Sequence, residues 1–278
     1  MKRFVTTTLA GALIAGFAWA AAPAADAHAS ADVKWYGQAA FRIKTPGGKV
    51  IVIDPFITKN PKTPADDKDL AKLGKVDLIL VTHGHGDHIG DTAALAKMTG
   101  AKVGVNADMG HTMRILGMVP KEQLVRFNKS GPINPIGPEI TITMTHAEHS
   151  SEIVSKKDGV EAIYPGGEPA GYIIKLEDGY TIYHSGDTGV FKDMELIHDL
   201  YKPDLALICI GGWFTMDPRH AAYAVNKFLK PKTVMPMHYG TFGLLKGTPD
   251  QLKTHLSGMG DTTEIVVMQP GDEKTFGK

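Results

Sequence analysis

Residues 83–88 read His83-Gly84-His85-Gly86-Asp87-His88 and follow directly on the apolar run Leu78-Ile79-Leu80-Val81. Along an extended strand, successive side chains point to opposite faces, so four donor side chains this close together share a centre only if the chain turns sharply after the strand. Gly84 and Gly86 supply a backbone expected to allow that turn. The segment therefore predicts a buried strand ending in a turn that presents imidazole and carboxylate groups to a cation. His83 and His85 are expected to share one ion, while Asp87 and His88 reach a second.

Composition narrows what that cation site can be. The single cysteine, Cys209, lies in the apolar run 205–210. No intrachain disulfide can form, and a cysteine-rich zinc site is excluded. Hydrophobic residues at 43% with charged residues at 22% describe a globular chain with enough apolar content for a sizeable core. Lys and Arg balance Asp and Glu at 30 each, which argues against a nucleic-acid binder driven by bulk charge. Lys2 and Arg3 precede the uncharged stretch 4–22, and small residues lead to Ala27-His28-Ala29. This is the order of a secretory signal. Residues 1–29 are thus expected to direct export and be removed, leaving a periplasmic or secreted domain of residues 30–278 without stable membrane insertion.

From residue 33 onward, β-rich runs alternate with stretches of helical period, with no Ser- or Pro-rich linker between them. Strands are predicted at 33–36, 41–44, 50–54, 78–82, 102–105, 140–146, 172–176, 180–184, 205–210, 233–237 and 264–268. Gly47-Gly48 and Asp178-Gly179 mark hairpin turns. Helices are predicted at 67–73, 92–98, 109–116, 193–201, 218–229 and 249–256. The pattern is a single mixed α/β domain with two sheets, each carrying helices.

Two adjacent ions need more donors than one turn offers. Three further segments place a donor just beyond an apolar strand: His149 in His146-Ala147-Glu148-His149-Ser150-Ser151, Asp187 in His184-Ser185-Gly186-Asp187-Thr188, and His238 after 233–237. His146 is a rival to His149. The succession Asp54, then His83, His85, Asp87 and His88, then His149, Asp187 and His238 resembles the metallo-β-lactamase superfamily. Within it, the chain is most similar to the metal-dependent hydrolase branch that includes ascorbate-phosphate lactonase-like proteins. That likeness runs through Trp35-Tyr36-Gly37, Asp54-Pro55-Phe56, Asn60-Pro61, Asp91, Gly211-Gly212-Trp213-Phe214-Thr215-Met216 and Met237-His238-Tyr239. Gln38 stands where a histidine is frequent in that branch, and Arg219-His220 where an acidic or small residue is expected.

The resemblance implies a four-layer αββα sandwich with the metals at one edge. It places His83, His85 and His149 on one ion and Asp87, His88 and His238 on the other, with Asp187 bridging. Imidazole and carboxylate donors suit Zn²⁺, with Mn²⁺ or Fe²⁺ as alternatives. A hydroxide shared by two divalent ions would attack an ester-type bond, of a lactone or a phosphodiester, in a small-molecule substrate. Asp87 would hold or pass the proton; His184 and Tyr239 are further candidates to contact substrate or donate a proton. Asp54 is read as an acceptor that orients ligating histidines, and Asp91 as either a helix cap or part of the site. Trp213, Phe214 and Met216 are either core or substrate mouth, and His111, His198, His220 and His255 are read as ordinary polar residues. Two rivals stand beside the hydrolase: a diiron redox protein of the same fold, against which His85 speaks because that type carries a Glu there, and a metal-binding protein without catalysis. Substrate identity and oligomeric state are not legible.

Overall fold

The computed structural model describes residues 1, 30–157 and 159–277; the predicted leader lies outside the described residues apart from Met1. The first sheet contains β1 (Ser30–Gly37), β2 (Ala40–Lys44), β3 (Val50–Ile53), β4 (Leu78–Leu80), β5 (Lys102–Asn106) and β6 (Leu124–Phe127). The second gathers β7 (Thr141–His146), then, after the separate hairpin β8 (Glu152–Lys157) and β9 (Val160–Pro165), β10 (Ala170–Lys175), β11 (Thr181–His184), β12 (Leu205–Cys209), β13 (Thr233–Met237) and β14 (Glu264–Ile265). Strand β15 (Glu273–Gly277) returns to pair with β1, so the strand orders are β15-β1-β2-β3-β4-β5-β6 and β14-β13-β12-β11-β10-β7.

Alternation along the strands decides the layers. Trp35, Phe41, Ile43, Ile51, Ile53 and Leu80 face the second sheet and pack with Ile142, Tyr172, Ile182 and Leu207 in one core. Their neighbours Tyr36, Val50, Val52 and Ile79 point the other way, onto α2 (Thr92–Thr99) and α3 (Ala107–Ile115), which follow the one-turn helix α1 (Gly86–Ile89). Helices α4 (Met194–Tyr201), α5 (Pro218–Ala224) and α6 (Pro249–Gly258) add Ile197, Ala221 and Leu252 to the core of the second sheet. The result is the expected helix–sheet–sheet–helix sandwich. Among the described residues, no helix is long and apolar enough to cross a membrane.

Pairing directions position the site. Strands β3 to β6 run parallel, as do β11 to β14. Parallel strands put their carboxyl ends at a common edge, so the turns after β3, β4, β11 and β13 open side by side.

Some elements depart from expectation. The stretch predicted as a helix at 67–73 is two separate single turns, Ala65–Asp67 and Leu70–Leu73, because the Asp69 side chain caps Ala71 and restarts the chain. Strand β6, the β8–β9 hairpin, β15 and α1 were not expected. The glycines of the His-rich turn also act differently. A side chain at Gly84 would come within 2.6 Å of the Glu152 carbonyl of β8, whereas Gly86 has open space. Gly84 gives room for the hairpin, and the turn after β4 is made by the start of α1.

Candidate metal centre

Seven donors converge at the common strand edge. On one side, His83 Nε2 lies 3.0 Å from His85 Nδ1, and His149 Nε2 lies 3.3 Å from the same atom. On the other side, His238 Nε2 stands 3.6 Å and His88 Nε2 3.8 Å from Asp87 Oδ2. Asp187 Oδ2 lies between, at 3.0 Å from His238 Nε2, 3.3 Å from His88 Nε2, 3.7 Å from His149 Nε2 and 4.0 Å from His83 Nε2. Three overlapping donor groups result: His83 with His85 and His149; His83 with His88 and Asp187; and Asp87 with His88 and His238.

These separations test the fit to a metal. Zinc bonds of about 2.0–2.1 Å in a tetrahedron place neighbouring donor atoms about 3.3–3.4 Å apart. The observed edges of 3.0–4.0 Å straddle that value. Two buried atoms, His88 Nε2 and Asp187 Oδ1, have no hydrogen-bond partner among the described residues, which is costly unless a cation meets them. The donor set fits divalent metal binding.

The protein also fixes which nitrogen faces the centre. Asp54, fully buried, accepts from the Thr82 amide at 2.8 Å and the Thr82 hydroxyl at 2.7 Å, and its Oδ2 lies 2.7 Å from His88 Nδ1. The carboxylate can only accept, so Nδ1 keeps its proton and Nε2 is the nitrogen left to ligate a metal, once it gives up the proton that the surrounding carboxylates otherwise hold there. Because the Thr82 hydroxyl spends its proton on Asp54, it accepts from His83 Nδ1 at 3.0 Å. One carboxylate thereby orients two of the histidines.

Electrostatics follow from burial and charge. Burial disfavours charge on His88, yet Asp187, Asp54 and Asp87 outweigh it and hold its pKa well above the ordinary value. His238 behaves alike, raised to about 9, chiefly because Asp187 overcomes its burial. His83 goes the other way: burial, reinforced by His88, keeps it well below the usual imidazole value. Burial raises the carboxyl of Asp187, but His238 and His88 pull it far below the carboxylate range.

The other candidates take up the following places. His184 is buried away from the cavity; its Nδ1 accepts from the Gly186 amide at 3.1 Å and its Nε2 donates to the Ala39 carbonyl at 3.0 Å, so neither nitrogen is free for substrate. Tyr239 lies against Trp35, with ring centroids 5.5 Å apart, and burial pushes its phenol up to about 12; it is not among the residues lining the cavity. His146 is exposed and pairs with Glu148 at 3.0 Å, outside the donor groups. Asp91 occupies the N-cap position of α2, but its side chain neither caps the helix nor joins the donors: it accepts from the Ile57 and Thr58 amides at 2.9 and 2.8 Å, tying down the loop after Asp54. Met216 is core, and Phe214 lines the cavity. His111, His198 and His220 pair locally with Arg126, the Leu229 carbonyl and Asp217.

Gln38 is the residue that sequence reasoning undervalued. Fully buried, it places Nε2 at 2.8 Å from Asp87 Oδ2 and 2.7 Å from His238 Nε2. Its departure from histidine was the available signal. Above the donors opens a cavity of about 730 Å³, walled by Phe56, Phe214, Phe242 and Leu245, with Lys59 and Ser150 also on its lining.

Comparison with known proteins follows the same lines. A family profile described as "Beta-lactamase superfamily domain" matches residues 49–239. A UPF0173 metal-dependent hydrolase of Cupriavidus necator is 53% identical over 249 residues, covering 88% of this chain and 86% of that relative. One from Polynucleobacter asymbioticus is 46% identical over 99% of this chain and 98% of its own length. Among solved structures, a metallo hydrolase from the hyperthermophilic archaeon Ignicoccus hospitalis is 35% identical with a TM-score of 0.76, covering 90% of this chain and 99% of its own.

Proposed function

The chain belongs to the metallo-β-lactamase superfamily of metal-dependent hydrolases, and from that premise we propose an exported binuclear enzyme that cleaves an ester-type bond, of a lactone or a phosphodiester. The observation that carries this reading is the position of Asp187 Oδ2, within 4.0 Å of four imidazole nitrogens drawn from both donor sets. We assign His83, His85 and His149 to one ion and Asp87, His88 and His238 to the other, with Asp187 shared. Zn²⁺ suits these donors best, and Mn²⁺ or Fe²⁺ fit them as well. Such ions supply Lewis acidity and a water that loses its proton near neutral pH.

The chain's own groups do the rest. Asp54 keeps the lone pair of His88 turned to the centre. Asp87 is less buried than Asp187 and lines the cavity, so it is placed to take a proton from water and return it to a leaving oxygen. Gln38, donating to Asp87 Oδ2, holds that carboxylate in place.

The test is metal analysis of gently purified protein, then turnover on acyl lactones, phosphodiesters and nitrocefin after loading with Zn²⁺ and with Mn²⁺. About two ions per chain, and ester-type turnover well above nitrocefin turnover, are expected, because a shared carboxylate draws two ions together around attacking and leaving oxygens. A protein that refuses both metals, or one fastest on nitrocefin, refutes the reading.

A further inference from the structure

Four large apolar side chains stand exposed on two neighbouring loops beside the donors. Trp213 (74% exposed) and Phe214 (57%) follow β12, while Phe242 (42%) and Leu244 (45%) follow β13. Isolated exposed apolar residues need no explanation, but Phe214 and Phe242 sit together on the lining of the cavity, which marks a binding surface, while Trp213 and Leu244 line a neighbouring groove. Phe214 and Phe242 turn into the cavity and meet Phe56 and Leu245 there. Phe56 and Phe242 lie 6.4 Å apart between ring centroids, and Trp213 and Phe214 lie 6.5 Å apart.

The wall is built and held by backbone bonds. Gly247 donates to the Gly211 carbonyl at 3.1 Å, joining the two loops, and Gly240 donates to Leu245 at 2.9 Å. Asp91 fixes the third loop, which carries Phe56 and Lys59. Lys59 is the one Lys or Arg on the cavity lining, and no carboxylate of the described residues lies within ion-pair distance of it. A cavity of about 730 Å³ falls in the range of small-molecule sites.

We infer that this cavity takes a carboxylic ester or lactone with a long apolar acyl chain, the chain lying on Phe56, Phe214, Phe242 and Leu245 and Lys59 meeting the carboxylate that hydrolysis creates. Beyond the metal centre itself, a phosphodiester would find Lys59 as the one Lys or Arg and a wall of phenyl rings, which offers its substituents no further charge partner. The inference rests on the ester-hydrolase reading and chooses within it. In the reaction, the oxygen of water bonds to the acyl carbon and the acyl C–O bond breaks. One proton of that water goes to the leaving alkoxide and the other to solvent, leaving an alcohol and a carboxylate.

Binding and turnover separate the two levels of the claim. Calorimetry with straight-chain alkyl carboxylates of increasing length reads the wall without any catalysis. Affinity should rise about fourfold per added methylene until the cavity is filled. Phe242→Ala and Phe214→Ala should flatten that slope with metal content unchanged, whereas Lys59→Met should weaken all lengths alike. On acyl lactones of the same chain lengths, kcat/KM should climb in parallel and exceed that on bis(p-nitrophenyl) phosphate. Affinity independent of chain length overturns the inference even if esters are cleaved. Chain-length-dependent binding with no turnover of any acyl ester upholds the apolar-chain site and overturns the hydrolase reading instead.

Discussion

Asp54→Asn is the sharpest perturbation of the centre, because it changes one atom's chemistry and almost nothing else. The position has φ 45°, a left-handed conformation that Asn tolerates better than most residues. Asn can keep one acceptor for the Thr82 amide, now at 2.8 Å. Its NH₂ group, however, replaces the oxygen 2.7 Å from His88 Nδ1, and a donor there forces Nδ1 to become the acceptor. His88 must then carry its proton on Nε2, where the lone pair is needed for the ion. Loss of an orienting partner of this kind typically costs about 10–100-fold in metal affinity, equivalent to about 1.4–2.7 kcal/mol. The fold should survive, since no cavity opens. The assay is competitive titration of metal-free protein with a chromophoric chelator, read for each ion separately. The expected result, with circular dichroism unchanged, is that the ion held by His88 weakens by that factor and the ion held by His83 weakens as well, because the Thr82 hydroxyl loses the acceptor that turns its proton away from His83 Nδ1. Two ions bound as tightly as in the wild type would show that the tautomer argument is wrong.

The other expectations are simpler. His149→Ala should lose metal and activity while His146→Ala leaves metal content nearly intact, since only His149 lies with the donors; stoichiometry by elemental analysis checks this, and the reverse pattern refutes it. Chelation should lower Tm, because a ligand bound only to the folded state at 100 times its Kd adds about 2.7 kcal/mol; an unchanged melt after verified metal removal speaks against ligation by this site. In the metal-free protein, burial opposes the charge on His238 but Asp187 prevails and holds its pKa at about 9. A raised folded-state pKa stabilises fully below the ordinary value near 6.5 and loses that contribution as pH rises through about 9. Melts of the apoprotein should therefore fall over that window, and a flat profile refutes the pairing. Intact mass of protein recovered from the native cell envelope should show residues 1–29 removed; full-length protein in a soluble fraction contradicts both cleavage and anchoring.

What the sequence made legible were features carried by neighbouring residues. The apolar runs of β3, β4, β12 and β13 are buried throughout, so their hydrophobicity alone announced them. Strand β15, Glu273-Lys274-Thr275-Phe276-Gly277, buries one residue and is held by pairing with β1, so no local pattern marked it. The His-rich turn is contiguous and was plain. Gln38 was not, because its partners Asp87 and His238 lie 49 and 200 positions away along the chain. His184 misled for the opposite reason: its closeness in sequence to Asp187 suggested chemistry, while both its nitrogens are consumed by backbone groups. The cavity wall is divided among three loops, and of its four apolar residues Phe56 and Phe214 stood in stretches that the sequence had marked, while Phe242 and Leu245 did not.

The backbone itself records the demand made on this edge. Among the described residues, seven non-glycine positions have positive φ, and Gln38, Asp54, Trp213 and His238 are four of them. Gln38, Asp54 and His238 each come directly after a strand, at the point where the chain leaves the sheet and enters the site, and Trp213 lies four residues beyond β12. Such conformations cost of order 1–3 kcal/mol each and persist only where the surroundings over-determine them. Here hydrogen bonds do so: the His238 amide donates to the Gln38 carbonyl at 3.0 Å, which stitches the two sheets together, and the Asp54 amide donates to Leu80 at 2.9 Å. Were these turns relaxed, the side chains of Gln38, Asp54 and His238 would continue the strand alternation and miss the centre. The core between the sheets therefore holds the donors at ligating distances from one another, and the strain sits where the geometry has to be exact enough for a metal.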